Sequence, residues 1–216
     1  RGIAALALVA ALAGLGFPRD AGTTLDDVRG GVLRVGVTEN APWTEVADDD
    51  AVGGVEVTLV QRLADSLDAT VEWYPGAESE LMAALKHRVL DLVIGGLTDS
   101  APWVKEASLT RPYVTIRTVV AARPGVAVPK DLAGTRVAAR AGSEDVALLI
   151  AADAVPVAVP EPAEADGLPA VLDEWEVASA GLTASRHTLA EHKHVMAVAL
   201  GENGFQTTVE RFLIAL

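Results

Sequence analysis

The apolar positions of this chain fall into short β-branched runs that alternate with stretches of helical spacing. Val32-Leu33-Arg34-Val35-Gly36-Val37, following Gly30-Gly31, predicts a strand. From Val55 to Leu67, the apolar residues Val57, Leu59, Val60, Leu63, Ala64 and Leu67 recur at helical spacing and predict an amphipathic helix. Thr70 to Tyr74 predicts a second strand. Glu78 to Arg88 predicts a second helix with Leu81, Met82 and Leu85 inward, and Leu90 to Ile94 a third strand stopped by Gly95-Gly96. This β-α-β-α-β order predicts a parallel sheet with right-handed crossovers.

The second half is less regular. Asp48 to Gly54 reads as an acidic turn between strands, and Leu97 to Pro112 as a polar, irregular stretch. Thr115 to Ala122 predicts a strand, and Pro124 to Lys130 is a Pro/Gly-containing linker that marks an internal boundary. Beyond it, strands are expected at Thr135–Arg140 and Val155–Val159, with a helix at Glu144–Asp153 after Gly142-Ser143. Pro160 to Leu168 reads as irregular, and Val171 to Ala178 fits neither template. A strand is expected at His194–Ala199 and a closing helix at Asn203–Leu216.

Charge and composition narrow the function classes. With 17 Lys+Arg against 30 Asp+Glu, the formal net charge is −13, which disfavours nucleic acid or an anionic lipid surface as a partner. Cysteine is absent, so no disulfide framework, thiol nucleophile or cysteine-ligated metal is available. Gly2 to Gly16 carries no charged residue; it is short for a membrane span and suits the apolar core of an export signal. Leu12-Ala13-Gly14 opens like a lipoprotein box, but Leu15 stands where the cysteine would be, so no lipid attachment is expected. Residues 1–22 are therefore read as an export signal or membrane anchor with linker, on a protein at the periplasmic or extracytoplasmic face of the membrane.

The ordered set of segments resembles the bacterial extracellular solute-binding proteins of family 3, the amino-acid-binding receptors of ABC transporters with the type II periplasmic-binding-protein fold. The matching stretches are Gly31-Val-Leu-Arg-Val-Gly-Val37, the Ala41-Pro-Trp43 loop, Gly53-Gly-Val-Glu-Val57, and Leu85 to Thr98. Pro112-Tyr113 before an apolar strand, Asp131-Leu-Ala-Gly-Thr-Arg-Val137 and Ala141-Gly-Ser143 extend the match. The likeness is best over 31–145 and weakest over 146–190. It implies a two-lobed α/β architecture of mixed, mostly parallel sheets flanked by helices, with the second lobe reduced. Lobe 1 would combine 31–116 with 196–216, lobe 2 would span 123–190, and 117–122 with 191–195 would form the hinge. A solute would bind in the cleft between the lobes.

The resemblance also nominates ligand contacts. Trp43, with Asn40 in the same loop, matches the position of an aromatic that packs on the ligand; a Trp covering a sheet edge is the plainer alternative. Gly95, Gly96 and Thr98 follow the third strand at the carboxyl edge of a parallel sheet, where such sheets bind ligands. The register from Gly96 to Pro112-Tyr113 puts the family's carboxylate-clamping arginine on Trp103, which has no charge to offer. Lys105 is a point-charge substitute at best. Arg111, where the family has an acidic residue, reaches the cleft or caps the hinge. Ser143 starts the lobe 2 helix as an N-cap, with a possible ligand contact. Glu174 lies near the family's acidic partner for a ligand amino group. His187, His192 and His194 invite a metal reading, but exposed polar residues at an element boundary are the commoner case, and no metal or other cofactor is expected.

The function implied is an extracytoplasmic solute-binding protein, not an enzyme, that serves an ABC-type uptake system. Its partners would be a small polar solute and the permease membrane subunits, with the protein itself a monomer. Loss of the clamp argues against a standard α-amino acid, and Trp43 and Trp103 would suit an apolar or cation-accepting pocket. Two alternatives stay open. One is a membrane-tethered ligand-sensing domain without a transporter; the other is an enzyme resembling cyclohexadienyl dehydratase.

Overall fold

The computed structural model describes residues 22–215; the export segment predicted at the start of the chain lies outside them apart from its last residue. The chain divides into two compact units. Unit 1 takes the chain up to Tyr113 and again from Val195, and unit 2 is Val114–His194. Unit 1 contains α1 (Thr24–Val28), β1 (Val32–Val37), β2 (Glu45–Val46), β3 (Val52–Gly53), α2 (Val55–Ser66), β4 (Thr70–Pro75), α3 (Glu78–Lys86), β5 (Leu92–Ile94) and β6 (Ala107–Leu109). Unit 2 holds β7 (Val114–Ala122), β8 (Arg136–Arg140), α4 (Glu144–Ala151), β9 (Val155–Val159), β10 (Ala170–Asp173), α5 (Glu174–Val177) and β11 (Thr183–His194). β12 (Ala197–Ala199) and α6 (Asn203–Ile214) return to unit 1.

The unit 1 sheet has the order β4-β1-β5-β12-β6. β1 pairs parallel to both β4 and β5, while β12 runs antiparallel to β5 and β6. Period-two alternation sends successive side chains to opposite faces. Leu33, Val35, Val37, Leu92 and Ile94 join α2 and α6 in one core, with Val60, Leu63, Phe205, Val209 and Leu213. Val93, Ala197 and Ala199 join Leu81, Met82 and Leu85 of α3 in the other. Gly36 lies on the α3 face, where a Cβ would come within 2.8 Å of Leu90 Cδ1. The final helix thus shares a core with the first strand although the whole of unit 2 separates them in sequence.

Unit 2 has its own sheet, ordered β11-β7-β10-β8-β9. β8, β9 and β10 are parallel, and β7 is antiparallel to β10 and β11. The element left open after Val159 is β10 followed by α5: Ala170, Val171 and Leu172 are buried at the centre of this sheet. β11 departs from expectation. The strand assigned to His194–Ala199 is two strands, because β11 ends at His194 and β12 begins at Ala197. β11 is an edge strand with Arg186, Glu191 and Lys193 along it, so it lacks the apolar alternation by which strands are recognised. β6, three residues inside a stretch read as irregular, is too short to show a period. Of the residues expected as a hinge, 117–122 on β7 and 191–194 on β11 are counted with unit 2, and Val195 with unit 1.

β1 and β5 are also joined by charge. Arg34 donates from Nε and Nη2 to Asp91 Oδ2 (3.0 Å) and Oδ1 (2.7 Å), and its backbone N–H donates to Oδ2 (2.9 Å). The Asp91 side chain is 4% exposed and that of Arg34 40%. The pair raises the already high pKa of Arg34, chiefly through the side-chain hydrogen bond. Asp91→Ala is expected to lower the unfolding free energy by about 2 kcal/mol, since a charge-assisted bond and a backbone acceptor are lost while the guanidinium can still hydrate. Chemical denaturation would read this as a shifted midpoint at unchanged slope.

Candidate functional site

Three parallel strands of unit 1 end side by side. Val37, the last residue of β1, is in register with Pro75 of β4 and Ile94 of β5. The loop after β1 folds back on itself through an Asn40–Thr44 bridge, and Thr44 Oγ1 donates to Thr38 O (2.5 Å). It is then tied to the start of α2, because Glu56 N–H donates to Trp43 O (2.9 Å) and Val55 N–H to Pro42 O (3.2 Å). Gly54 makes this approach possible: at φ 103° a Cβ would lie 2.5 Å from Trp43 O.

The loop after β5 closes against the loop after β1. Asn40 Nδ2 donates to Gly95 O (2.8 Å). Gly96, at φ 64°, leaves no room for a side chain, since a Cβ would lie 2.5 Å from Asn40 Nδ2 and 2.7 Å from Trp43 Cδ1. Beneath these glycines lies Glu56, whose carboxylate is fully buried. Its Oε2 accepts the amides of Gly95 (2.8 Å) and Gly96 (2.9 Å), and its Oε1 accepts the Tyr113 hydroxyl (2.5 Å). Burial pushes the Glu56 carboxyl above the ordinary carboxylate range against the opposing pull of these three donors. Tyr113 is pushed up as well, first by burial and then by the negative charge of Glu56.

The sequence-nominated residues separate into groups. Asn40, Trp43, Gly95 and Gly96 meet at the strand ends, and Thr98 follows with its hydroxyl 2.8 Å from Ser100 Oγ. Trp103 packs on the α3-side core and donates its indole N–H to Glu78 at the start of α3. Its indole N–H is therefore engaged within unit 1, with the residue half-buried. Arg111 faces α6: its backbone N–H donates to Glu210 Oε1 (2.9 Å), its Nε lies 3.7 Å from Oε2, and its side chain is 77% exposed.

In unit 2, Ser143 holds the N-cap position of α4 without bonding a helix amide, contrary to the expected cap. Its hydroxyl instead lies 2.9 Å from both Arg140 O and Asp145 Oδ2, and burial raises the carboxyl of Asp145. Glu174 is exposed, 3.5 Å from Arg117, which also donates to Glu191 (3.0 Å). His187 Nε2 lies 2.8 Å from Pro129 O. No group of three or more His, Cys, Asp or Glu placed to hold a metal ion occurs among the described residues.

Sequence reasoning missed Glu56, Tyr113 and Glu78. Glu56 carried a usable signal. It stands four, seven and eight residues before Val60, Leu63 and Ala64, so the helical period puts a carboxylate on the buried face of α2. That face is Glu56, Val60, Leu63 and Ala64, whereas the expected inward residues Val57 and Leu59 are half-exposed.

The family model for bacterial extracellular solute-binding proteins, family 3, matches residues 33–215. The membrane-bound lytic murein transglycosylase F of Shewanella sp. (strain W3-18-1) is 30% identical over 101 residues, 46% of this chain and 21% of that protein, so the match spans about a fifth of that relative. Among solved structures, the unliganded, open L-cystine solute receptor of Neisseria gonorrhoeae superposes with a TM-score of 0.71 at 20% identity, covering 90% of this chain and 91% of that one. An ancestral cationic amino acid solute-binding protein gives 0.65 at 20% identity, covering 89% and 92%. A putative ABC-transporter binding component from Wolinella succinogenes DSM 1740, complexed with lysine, gives 0.56 at 20% identity, covering 85% and 88%. At these identities the structures share the type II periplasmic-binding-protein fold with this chain. Since the family match takes in both units and nearly all the described residues, the chain belongs to family 3 of the bacterial extracellular solute-binding proteins.

Proposed function

We propose that this chain is an exported, monomeric receptor that binds a small polar solute at the carboxyl-end edge of the unit 1 sheet. We further propose that it delivers the solute to the membrane subunits of an ABC-type uptake system. The observation that carries the reading is the convergence of Asn40, Trp43, Gly95 and Gly96 at three aligned strand ends, with Gly96 held bare. An open α/β sheet presents its ligands at this edge. Thr98, next along the loop, adds a hydroxyl that donates or accepts.

The solute we propose is not a standard α-amino acid. A desolvated α-carboxylate needs a cation, and the side chain at position 103 is an indole bonded to Glu78. Arg111, the nearby guanidinium, is drawn to Glu210 on α6. A charge-assisted pair contributes roughly 1.5–3 kcal/mol, and about 1.4 kcal/mol is a factor of ten in affinity.

A second reading is favoured by the similarity to a membrane-bound lytic murein transglycosylase. In it the chain is a solute-sensing module tethered at the membrane without a transporter, and the solute is murein-derived.

Two measurements test these readings. A thermal-shift panel of the twenty amino acids, dicarboxylates, polyamines, sugars and murein-derived disaccharides and peptides is expected to raise the melting point for at least one non-amino-acid class, with no α-amino acid bound at micromolar affinity by calorimetry. Micromolar binding of any α-amino acid would refute the solute class, and a response confined to murein fragments would favour the second reading. Gly96→Ala is expected to displace Trp43 and Asn40 and weaken binding of whichever panel compound responds by at least about tenfold. Unchanged affinity in a folded variant would remove the Gly96 edge from the site.

A further inference from the structure

Among the described residues of unit 1, three carboxylates are buried, and two face a guanidinium: Asp91 meets Arg34, and Glu202 meets Arg88. Glu56 is different. Its recorded partners are neutral donors, two successive glycine amides and one phenol. A carboxylate taken out of water needs compensation, and three hydrogen bonds to one carboxyl group supply part of it, burial still raising the group.

These three donors belong to distant parts of the chain. Gly95 and Gly96 form the turn after β5 at the proposed site. Tyr113 is the last residue before the chain leaves unit 1. The two oxygens of a carboxyl group are held in one plane, so a shift of the oxygen that carries the amides also moves the oxygen that carries the phenol. Glu56 is itself fixed at the start of α2 by the hydrogen bond its backbone N–H donates to Trp43 O. We propose that Glu56 is the positioning residue of the solute-facing loop: through one carboxyl group it joins the Gly95-Gly96 turn and Tyr113 into a single hydrogen-bonded unit. The state of the loop is then registered at the residue where the chain departs for unit 2. This rests on the reading that solute meets the Gly96 edge.

The coupling has a definite sign. Tyr113→Phe takes one donor from Glu56, and burial then drives the carboxyl further towards its neutral form. A neutral carboxyl is the weaker acceptor, so the glycine amides loosen although the deleted oxygen bonds neither glycine. If Glu56 merely fills space, the glycines do not respond. Tyr113 is the titratable side chain that hydrogen-bonds Glu56, and the turn after β5 brings two backbone amides to it.

The test is amide hydrogen exchange by NMR on the labelled full chain, with Tyr113→Phe, Glu56→Gln and Glu56→Ala beside the wild type. In Tyr113→Phe, the Gly95 and Gly96 amides are expected to exchange about tenfold faster, the worth of one net hydrogen bond, with β8 of unit 2 unchanged. Glu56→Gln keeps a carbonyl for the amides and offers an N–H to the phenol oxygen, so exchange should stay within about threefold of wild type. The same pair reads pH. Burial raises the Glu56 carboxyl above its ordinary value of 4.5, so its contribution to stability is present below that value and is lost as pH rises through the folded midpoint. Wild-type stability relative to Glu56→Gln therefore falls across that window, and the wild-type glycine amide shifts titrate with it.

Unchanged glycine exchange in Tyr113→Phe, or a wild-type pH profile as flat as that of Glu56→Gln, overturns the proposal. If Glu56→Ala does not fold, the other two variants carry the test. The solute panel fails independently: a protein that binds nothing on it overturns the solute reading and leaves the coupling measured, whereas uncoupled glycines overturn the role of Glu56 alone.

Discussion

A fully buried carboxyl group fixes the geometry on which unit 1 depends. Glu56 projects from the first turn of α2, where the helix dipole favours negative charge, into the space below the ends of β1 and β5. Its acceptors need donors, and two arrive as consecutive amides from one turn. Such a turn requires a positive φ at Gly96 and no side chain there, because Asn40 and Trp43 occupy the other side. The bare glycine pair, the seating of the tryptophan and the folded-back loop after β1 all fit the hydrogen-bonding needs of one buried carboxyl group. Tyr113 takes its remaining oxygen and ties the departing chain to the same point.

Much of the fold is legible as periodicity. The β1-α2-β4-α3-β5 run is there in the sequence because its strands are β-branched and its helices keep an apolar stripe, and α6 reads equally well from Phe205, Val209 and Leu213. What is hidden is hidden for physical reasons. β11 is a charged edge strand, β6 spans three residues, and β10 is a short buried strand set off by Pro169 before it and an acidic helix start after it. At the site, Gly95, Gly96 and Trp43 could be nominated because turns and aromatics in loops are visible locally. The Glu78 partner of Trp103 lies 25 residues away and the Tyr113 partner of Glu56 lies 57 away, separations at which sequence spacing carries no information about contact. Glu56 itself was legible as a charged residue at an apolar helical position, the kind of local conflict that marks a committed site.

The surroundings of Arg111 show how a sheet edge is covered. β6 is an edge strand, and its outer polar groups would otherwise lie exposed. α6 covers them with side chains: Gln206 Nε2 donates to Leu109 O (3.0 Å), and Glu210 Oε1 accepts the Arg111 amide (2.9 Å). Having placed a carboxylate there to cap the edge, the fold also attracts the Arg111 guanidinium to it. The chain must return from unit 2 to supply β12, the neighbour of β6, and α6, its cover. Sheet-edge protection and the two-crossing topology are therefore parts of one solution.

The same accounting limits what a solute can find at the strand ends. Both glycine amides point down to Glu56, so the turn after β5 does not form the anion-holding nest that successive backbone N–H groups can make. The Gly95 carbonyl is taken by Asn40, and the Trp103 indole N–H by Glu78. The two glycine amides and the Trp103 indole N–H are thus engaged inside the protein. With a net charge of −13, long-range attraction at low salt also favours cations over anions. If solute meets this edge as proposed, an anionic group there finds the glycine amides already bonded to Glu56 and gives up hydration without recovering those bonds.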